Sequence, residues 1–231
     1  MLILIPLVMI CQGIEWKNTA SIALKDVSFQ MVTISANRSE LRKVSHEFAL
    51  AYEASNMNVV YKDPMQIRLT WKMSGQSVIY IISNNKQVYQ VPKINLLKIN
   101  ENISESPGKI QSLFDFGVLT NGIISQYLDG EYVQTEKESV FVFDAKYKQK
   151  GDSSRFRLWI DMEKRLIIKR EWYNQFDKLI ATFLYEEPAR FDDIWFPTKL
   201  TIINADKKIA AISSYKDIRI NQGIIDEIFK W

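Results

Sequence analysis

The chain has 231 residues, 47% hydrophobic and 12% aromatic, enough to bury a sizeable core and too apolar for a disordered polymer. Thirty Lys and Arg against 27 Asp and Glu leave a net charge of +3, too small a basic excess for a protein that binds nucleic acid by neutralising phosphates. One His and one Cys exclude a His/Cys metal cluster and an intrachain disulfide, and the only Cys–His pair on offer is Cys11 with His46.

Residues 1–10, MLILIPLVMI, are apolar and uncharged. A helix spanning a bilayer needs about 20 such residues, so the run matches the hydrophobic region of a signal peptide instead. Cys11 and Gly13 place small residues for cleavage after Gly13. No Lys or Arg precedes the run, and Ile10 is a poor neighbour for a lipidated Cys11. The expectation is a signal peptide over 1–13 and an exported mature chain from 14, membrane-associated if the signal is retained.

Trp16–Val27 reads as a short helical segment. Ser28–Ser35 and Val44–Ala54 alternate like strands, the second with Phe48, Leu50 and Tyr52 on one face. His46 shares that parity and is read as an inward or rim-facing structural histidine rather than a general base. Ile67, Leu69, Trp71 and Met73 then alternate with Arg68, Thr70 and Lys72, the pattern of a half-buried strand. Turns at Ser74-Gly75 and Asn84-Asn85-Lys86 lead into Val78–Ile82 and Gln87–Val91 as antiparallel neighbours.

Asn100–Lys109 is a polar loop carrying Pro107-Gly108. Ile110–Leu128 then spaces Ile110, Leu113, Phe114, Leu119, Ile123, Ile124, Tyr127 and Leu128 helically, with Gly117 and Asn121-Gly122 expected to break it into two short helices. Strands resume at Val140–Asp144, Arg155–Asp161, Leu166–Tyr173, Leu179–Tyr185, Trp195–Ile203 and Ile209–Ile220. About eleven strands, with no helix alternating between them, indicate a mainly β (α+β) single domain over 14–231: one curved antiparallel sheet lidded by short helices. Two short helices are too little to fill such a sheet, so a hydrophobic hollow is expected.

Catalytic signatures are missing. There is no G-x-S-x-G, no phosphate-binding Gly loop and no dinucleotide fingerprint. Glu186-Glu187 and Asp192-Asp193 flank Pro188 and read as solvated turn residues. Lys146–Lys178 carries ten Lys/Arg against five Asp/Glu, which fits either anionic lipid headgroups or simply the polar face of two strands.

Two segments carry a family likeness. YKDPMQIRL (61–69) followed by VIYIISNNKQVYQVP (78–92) resembles the "basic-x-Pro-x-x-x-Arg" and "ivsnGk-x-x-Tyr" pattern of the LolA-like outer-membrane lipoprotein carriers. LWID (158–161), IKREWYN (168–174), WFPT (195–198) and DEIF (226–229) are similar to the C-terminal half of lipoprotein-sorting proteins of that superfamily. The resemblance runs from Trp16 to Trp231. It implies an unclosed β-barrel lidded by helices, in the periplasm, holding acyl chains of lipoproteins or other lipids in transit toward the outer membrane. It also implies no cofactor and no catalysis, with an inner-membrane donor complex and an outer-membrane acceptor as partners and the protein a monomer. One departure is Asp63, which stands where the carriers place an arginine before the proline, with Lys62 one residue earlier; this bears on transfer to a receptor rather than on lipid binding.

By parity, Ile67, Leu69, Trp71 and Tyr80 face the hollow, joined by Phe156, Leu158 and Ile160 and by Leu179, Ala181 and Phe183. Leu113, Phe114, Ile123 and Ile124 form the apolar side of the lid. The competing reading is a non-enzymatic envelope interaction or sensor module, in which the same residues are ordinary packed core and an exposed face or edge binds a protein partner.

Overall fold

The computed structural model describes residues 15–105, 111–149 and 153–231; the expected signal segment 1–13, with Cys11, and the Pro107-Gly108 turn lie outside the described residues. The chain runs through β1 (Asp26–Ala36), α1 (Arg38–Val44), α2 (His46–Ala51), β2 (Asn56–Lys62), β3 (Gln66–Met73), β4 (Gln76–Ser83), β5 (Lys86–Val91) and β6 (Leu96–Glu101). A 3-10 turn at Leu113–Phe116 and α3 (Asn121–Gln126) follow. The second half contains β7 (Leu128–Lys137), β8 (Val140–Tyr147), β9 (Arg155–Asp161), β10 (Leu166–Tyr173), β11 (Leu179–Glu186), β12 (Ala189–Phe191), β13 (Ile194–Phe196), β14 (Lys199–Asn204) and β15 (Ile209–Ile220).

Thirteen strands form one sheet in the order β6-β5-β4-β3-β2-β1-β15-β14-β11-β10-β9-β8-β7, and β12–β13 is a separate hairpin. Pairing of β1 with β15 welds the two halves. The outer edges, β6 and β7, are consecutive in sequence yet lie at opposite ends of the sheet, so the barrel is not closed. That topology has a direct consequence. The connection from β6 to β7 has to join opposite ends of the sheet, and its residues 111–127 lie over the apolar concave face.

Period-two patterning sets the faces. Register pairs Ile67 with Ile82 and Leu69 with Tyr80, while Val59 lies across from both Leu69 and Phe29. Phe183 pairs with Ile202 and with Arg170, and Arg170 with Leu158. These side chains line the concave face and belong to one core cluster, apart from Arg170. A smaller cluster on the convex face joins Ile81 and Val88 to Phe229. There the C-terminal turn Asp226–Phe229 lies on β3 and β4, tied down by Lys62 Nζ to Asp226 (2.5 Å) and by Arg68 Nη1 donating to the Ile228 carbonyl (2.8 Å).

Several expectations need correction. Val44–Ala54 is not a strand: residues 38–51 form α1 and α2, because the Asn37 side chain accepts from the Ser39 and Glu40 amides and Ser45 accepts from Phe48. The alternation of Phe48, Leu50 and Tyr52 is incidental to a helix that buries Ala49 and leaves Leu50 exposed. His46 is therefore neither inward nor at a barrel rim; it is an exposed residue of the first turn of α2. Trp16–Val27 holds only a 3-10 turn, Trp16–Thr19, before β1 begins. Two edge strands, Leu96–Glu101 and Leu128–Lys137, carry no strand pattern in the sequence; the first takes in Asn100-Glu101 from the expected loop and the second Leu128 from the expected helical segment. Trp195–Ile203 is interrupted at Pro197-Thr198, as a proline without an N–H breaks the ladder. Gly117 does end the first lid turn, with φ at +89°, but Asn121-Gly122 opens α3 instead of breaking it. No helix among the described residues is long and apolar enough to cross a membrane.

Candidate functional site

The β6–β7 connection forms a lid. Its segment from Gln111 to Tyr127 buries Leu113, Phe114, Phe116, Val118, Leu119, Ile123 and Ile124 against the concave face. Phe114 meets Phe156 edge-on at 5.1 Å and Phe116 meets Phe29 at 5.2 Å. Burying seven such side chains at about 1.5–3 kcal/mol each contributes on the order of 10–20 kcal/mol before entropy is counted. A capping box, Ser112 with Asp115, rigidifies the first turn, and Thr120 caps α3 by accepting from the Ile123 amide.

Polar contacts fasten this apolar strip to the sheet at four places. At its start, the Gln111 amide donates to the Tyr80 hydroxyl at 3.1 Å. In the middle, Arg170 Nη1 donates to Asp115 Oδ1 (3.1 Å) and to the Phe114 carbonyl (3.5 Å), while the Tyr185 hydroxyl reaches the Phe114 and Asp115 carbonyls, each at 3.3 Å. Next, the Ile167 amide, freed from the ladder by a bulge between Ile167 and Lys169, donates to the Gly117 carbonyl at 3.0 Å. At the end, the Tyr61 hydroxyl lies 3.0 Å from both Thr120 Oγ1 and the Pro64 carbonyl oxygen. Close backbone seating goes with these contacts. A Cβ on Gly122 would overlap the Pro64 carbonyl, and one on Gly117 would meet the Tyr185 ring at 2.6 Å.

Electrostatics at the fastening points follow from burial. Desolvation pushes the Tyr80 phenol up to about 12 and raises the Tyr61 and Tyr185 phenols further, so all three hydroxyls remain neutral. Arg170 is 3% exposed, with Phe114 and Phe183 4.5 and 4.2 Å from its guanidinium carbon. Burial disfavours its charge, but Tyr185 and Asp115 outweigh that, and its pKa lies above the ordinary arginine value.

The expected cavity residues can now be placed. Ile67, Leu69, Tyr80, Phe156, Leu158, Ile160, Ala181 and Phe183 are buried on the concave face; Trp71 is partly buried at its end. Leu179 is the exception. A bulge in β11 opposite Trp172/Tyr173 shifts the phase, so that Ile180 packs against the core and Leu179 does not. Leu113, Phe114, Ile123 and Ile124 all lie in the lid's buried face. The polar fasteners Arg170, Asp115, Tyr185 and Thr120 were not foreseen. One signal was present: Arg170 shares the inward parity of Trp172, and a cation in an apolar phase of a strand marks a paired buried charge.

The concave face is not an open hollow. Beneath the lid are a void of about 10 Å³ touching Phe114 and Ile123 and a hollow of about 90 Å³ touching Phe156, Arg170 and Phe183. Larger clefts lie at the ends of the sheet. One, of about 410 Å³, is bordered by Leu41, Ala49 and Met73. The other, of about 750 Å³, is bordered by Met65, Ile82, Ile103 and Tyr127 with polar Lys62, Asp63 and Asp226. Met65 and Tyr127 border both this cleft and the 10 Å³ void, and Tyr147 borders both that void and the 90 Å³ hollow. The three spaces are therefore neighbours, sharing these side chains as walls.

Comparison with known proteins bears on this arrangement. A family model described only as "Uncharacterized protein" matches residues 123–231. No curated protein matches the chain. Among solved structures, a domain named for outer-membrane lipoprotein sorting, from Vibrio parahaemolyticus, is 14% identical with a TM-score of 0.61, over 93% of this chain and 92% of that one. A DUF1329 family protein from Desulfovibrio piger is 12% identical with a TM-score of 0.60, over 90% of each chain. A LolA superfamily protein from Nitrosomonas europaea is 13% identical with a TM-score of 0.54, over 90% of this chain and 89% of that one. The fold of this chain, an unclosed antiparallel sheet with a helical lid, is LolA-like.

Proposed function

We propose that the protein is a non-enzymatic carrier of acyl chains, which occupy the concave face once the lid swings away. The observation that carries this reading is the lid itself: an apolar strip, strung between the two outer edges of an open sheet, fastened by a few polar contacts. Its side chains occupy the place a lipid tail would take. The magnitudes agree. Exposing the lid forfeits on the order of 10–20 kcal/mol, and burying an acyl chain of about 16 carbons at about 0.8 kcal/mol per methylene returns on the order of 12 kcal/mol. Exchange of lid for ligand is thus close to balanced, as loading and release both require. On this reading Ile67, Leu69, Trp71, Tyr80, Phe156, Leu158, Ile160, Ala181 and Phe183 contact the chain, and the Met65–Tyr127 cleft is its way in. The likeness to a structure named for outer-membrane lipoprotein sorting supports a lipoprotein or other lipid as cargo; on the resemblance of the sequence to LolA-like carriers, the setting is the periplasm and the partners are a donor at the inner membrane and an acceptor at the outer membrane.

A second reading is favoured by the packing: the spaces under the lid are 10 and 90 Å³, far below the ~300 Å³ of an ordinary ligand cavity. In that reading the sheet is a permanently filled module that binds a protein partner. Native mass spectrometry with organic extraction, on protein purified from a membrane-containing host, separates the two. Co-purifying acylated lipid or lipoprotein supports the carrier; a clean apo mass that takes up no added lipid supports the module.

A further inference from the structure

The buried Arg170 is only half used by the lid. Both hydrogen bonds it donates leave from Nη1, to Asp115 and to the Phe114 carbonyl, and its Nε is buried with no partner. An unsatisfied donor on a buried cation is costly, and a guanidinium is built to meet two oxygens of one anion side by side. Asp115 offers a single 3.1 Å contact and its side chain stays 26% exposed. Arg170 also borders the 90 Å³ hollow, together with Asp115, Gln111, Phe48, Phe156 and Trp172. That is room for about three water molecules, hence for one small anionic group. Next to it lie the void beside Phe114, which shares Tyr147 as a wall, and then the Met65–Tyr127 cleft.

Resting on the carrier reading, we propose that Arg170 anchors an anionic head group, carboxylate or phosphate, of the acyl-chain ligand, and that this group displaces Asp115 from the guanidinium. Asp115 belongs to the lid and Arg170 to the sheet. Head-group binding and unfastening of the Leu113–Phe116 turn are then one exchange of anions, and ligands without a charge have only apolar burial to displace the lid.

The test is a tryptophan-fluorescence titration of the full chain, with Trp172 at the site, using oleate, methyl oleate, oleoyl lysophosphatidic acid and monooleoylglycerol below their aggregation limits. The charged members of each pair are expected to bind at least about tenfold tighter than the neutral ones; a preference in the first pair assigns a carboxylate, in the second a phosphate. Arg170→Gln is expected to bring the affinities within each pair to within about twofold of one another. Asp115→Asn, which removes the competing anion, is expected to tighten oleate several-fold without a matching gain for the ester. Equal binding of acid and ester by the parent protein, or a preference that survives Arg170→Gln, overturns the anchor and leaves the carrier standing. Should Arg170→Gln not fold, an oleate-to-ester ratio unchanged by Asp115→Asn overturns it equally. Failure of all four compounds to bind overturns the carrier reading and the anchor with it.

Discussion

The Tyr61 hydroxyl, on β2, lies 3.0 Å from Thr120 Oγ1, the cap of α3, across a buried contact between residues 59 positions apart. It joins the sheet to the far end of the lid, just as Arg170 and Tyr185 join it to the middle. Removing the hydroxyl takes this contact from Thr120, which keeps only the Ile123 amide, and from the Pro64 carbonyl. Tyr61→Phe is expected to cost about 1–3 kcal/mol in urea unfolding and to speed hydrogen exchange in α3 more than in β1–β3. Equal acceleration across the sheet would mean that the contact does not fasten the lid.

Gly122 is where α3 presses on the β2–β3 turn. A methyl group there meets the Pro64 carbonyl, a backbone atom that cannot rotate away. Gly122→Ala is expected to lower stability by about 1–3 kcal/mol through overpacking, and to raise the rate of acyl-chain uptake because the lid no longer seats fully. A variant as stable and as slow to load as the parent would contradict the close-approach account.

The convex face provides a control. Phe229 is fully buried against Ile81 and Val88, on the side of the sheet away from the lid. Phe229→Ala is expected to cost about 3–5 kcal/mol in stability while leaving the affinity of the still-folded protein for acyl chains unchanged. A selective loss of binding would place the ligand on the wrong face for the present account.

Alkaline pH reports on the buried phenols. Burial raises Tyr52 and Tyr80 to about 12 and raises Tyr61, Tyr185 and Tyr215 well above the ordinary value. An unfolded tyrosine ionises near 10, so between that pH and the folded values the unfolded state holds fewer protons. Stability is therefore fully present below about pH 10 and falls as pH rises through about 12. Absorbance of tyrosinate at 295 nm is expected to show the buried phenols ionising only together with loss of circular dichroism. Simple titration of every tyrosine near 10 in folded protein would contradict the burial.

Sequence pattern carried the sheet and much of the concave face, because strands with one buried side enforce strict alternation, as in Ile67, Leu69 and Trp71 or Phe156, Leu158 and Ile160. Alternation fails where the backbone inserts a residue, and the β11 bulge moved Leu179 off the face that its parity assigned. Helices α1 and α2 were hidden by a chance alternation, although Asn37 followed by Glu40 and Ser45 at the next cap were legible start signals. The fasteners could not be read locally. Arg170 meets Asp115, and Tyr61 meets Thr120, only because the edge-to-edge crossing brings distant segments together. Nor could pattern alone separate a filled concave face from an empty one, since the lid supplies from elsewhere in the chain the same apolar atoms a ligand would.

Hydrogen exchange of the lid amides, residues 113–126, with and without a saturating acyl chain, tests the central claim most directly. The account predicts that a bound chain accelerates exchange across the lid while the amides of β1–β4 and β9–β11 keep their protection. Protection of the lid that is unchanged or stronger when the chain binds would contradict it, because the chain would then lie somewhere other than beneath the lid.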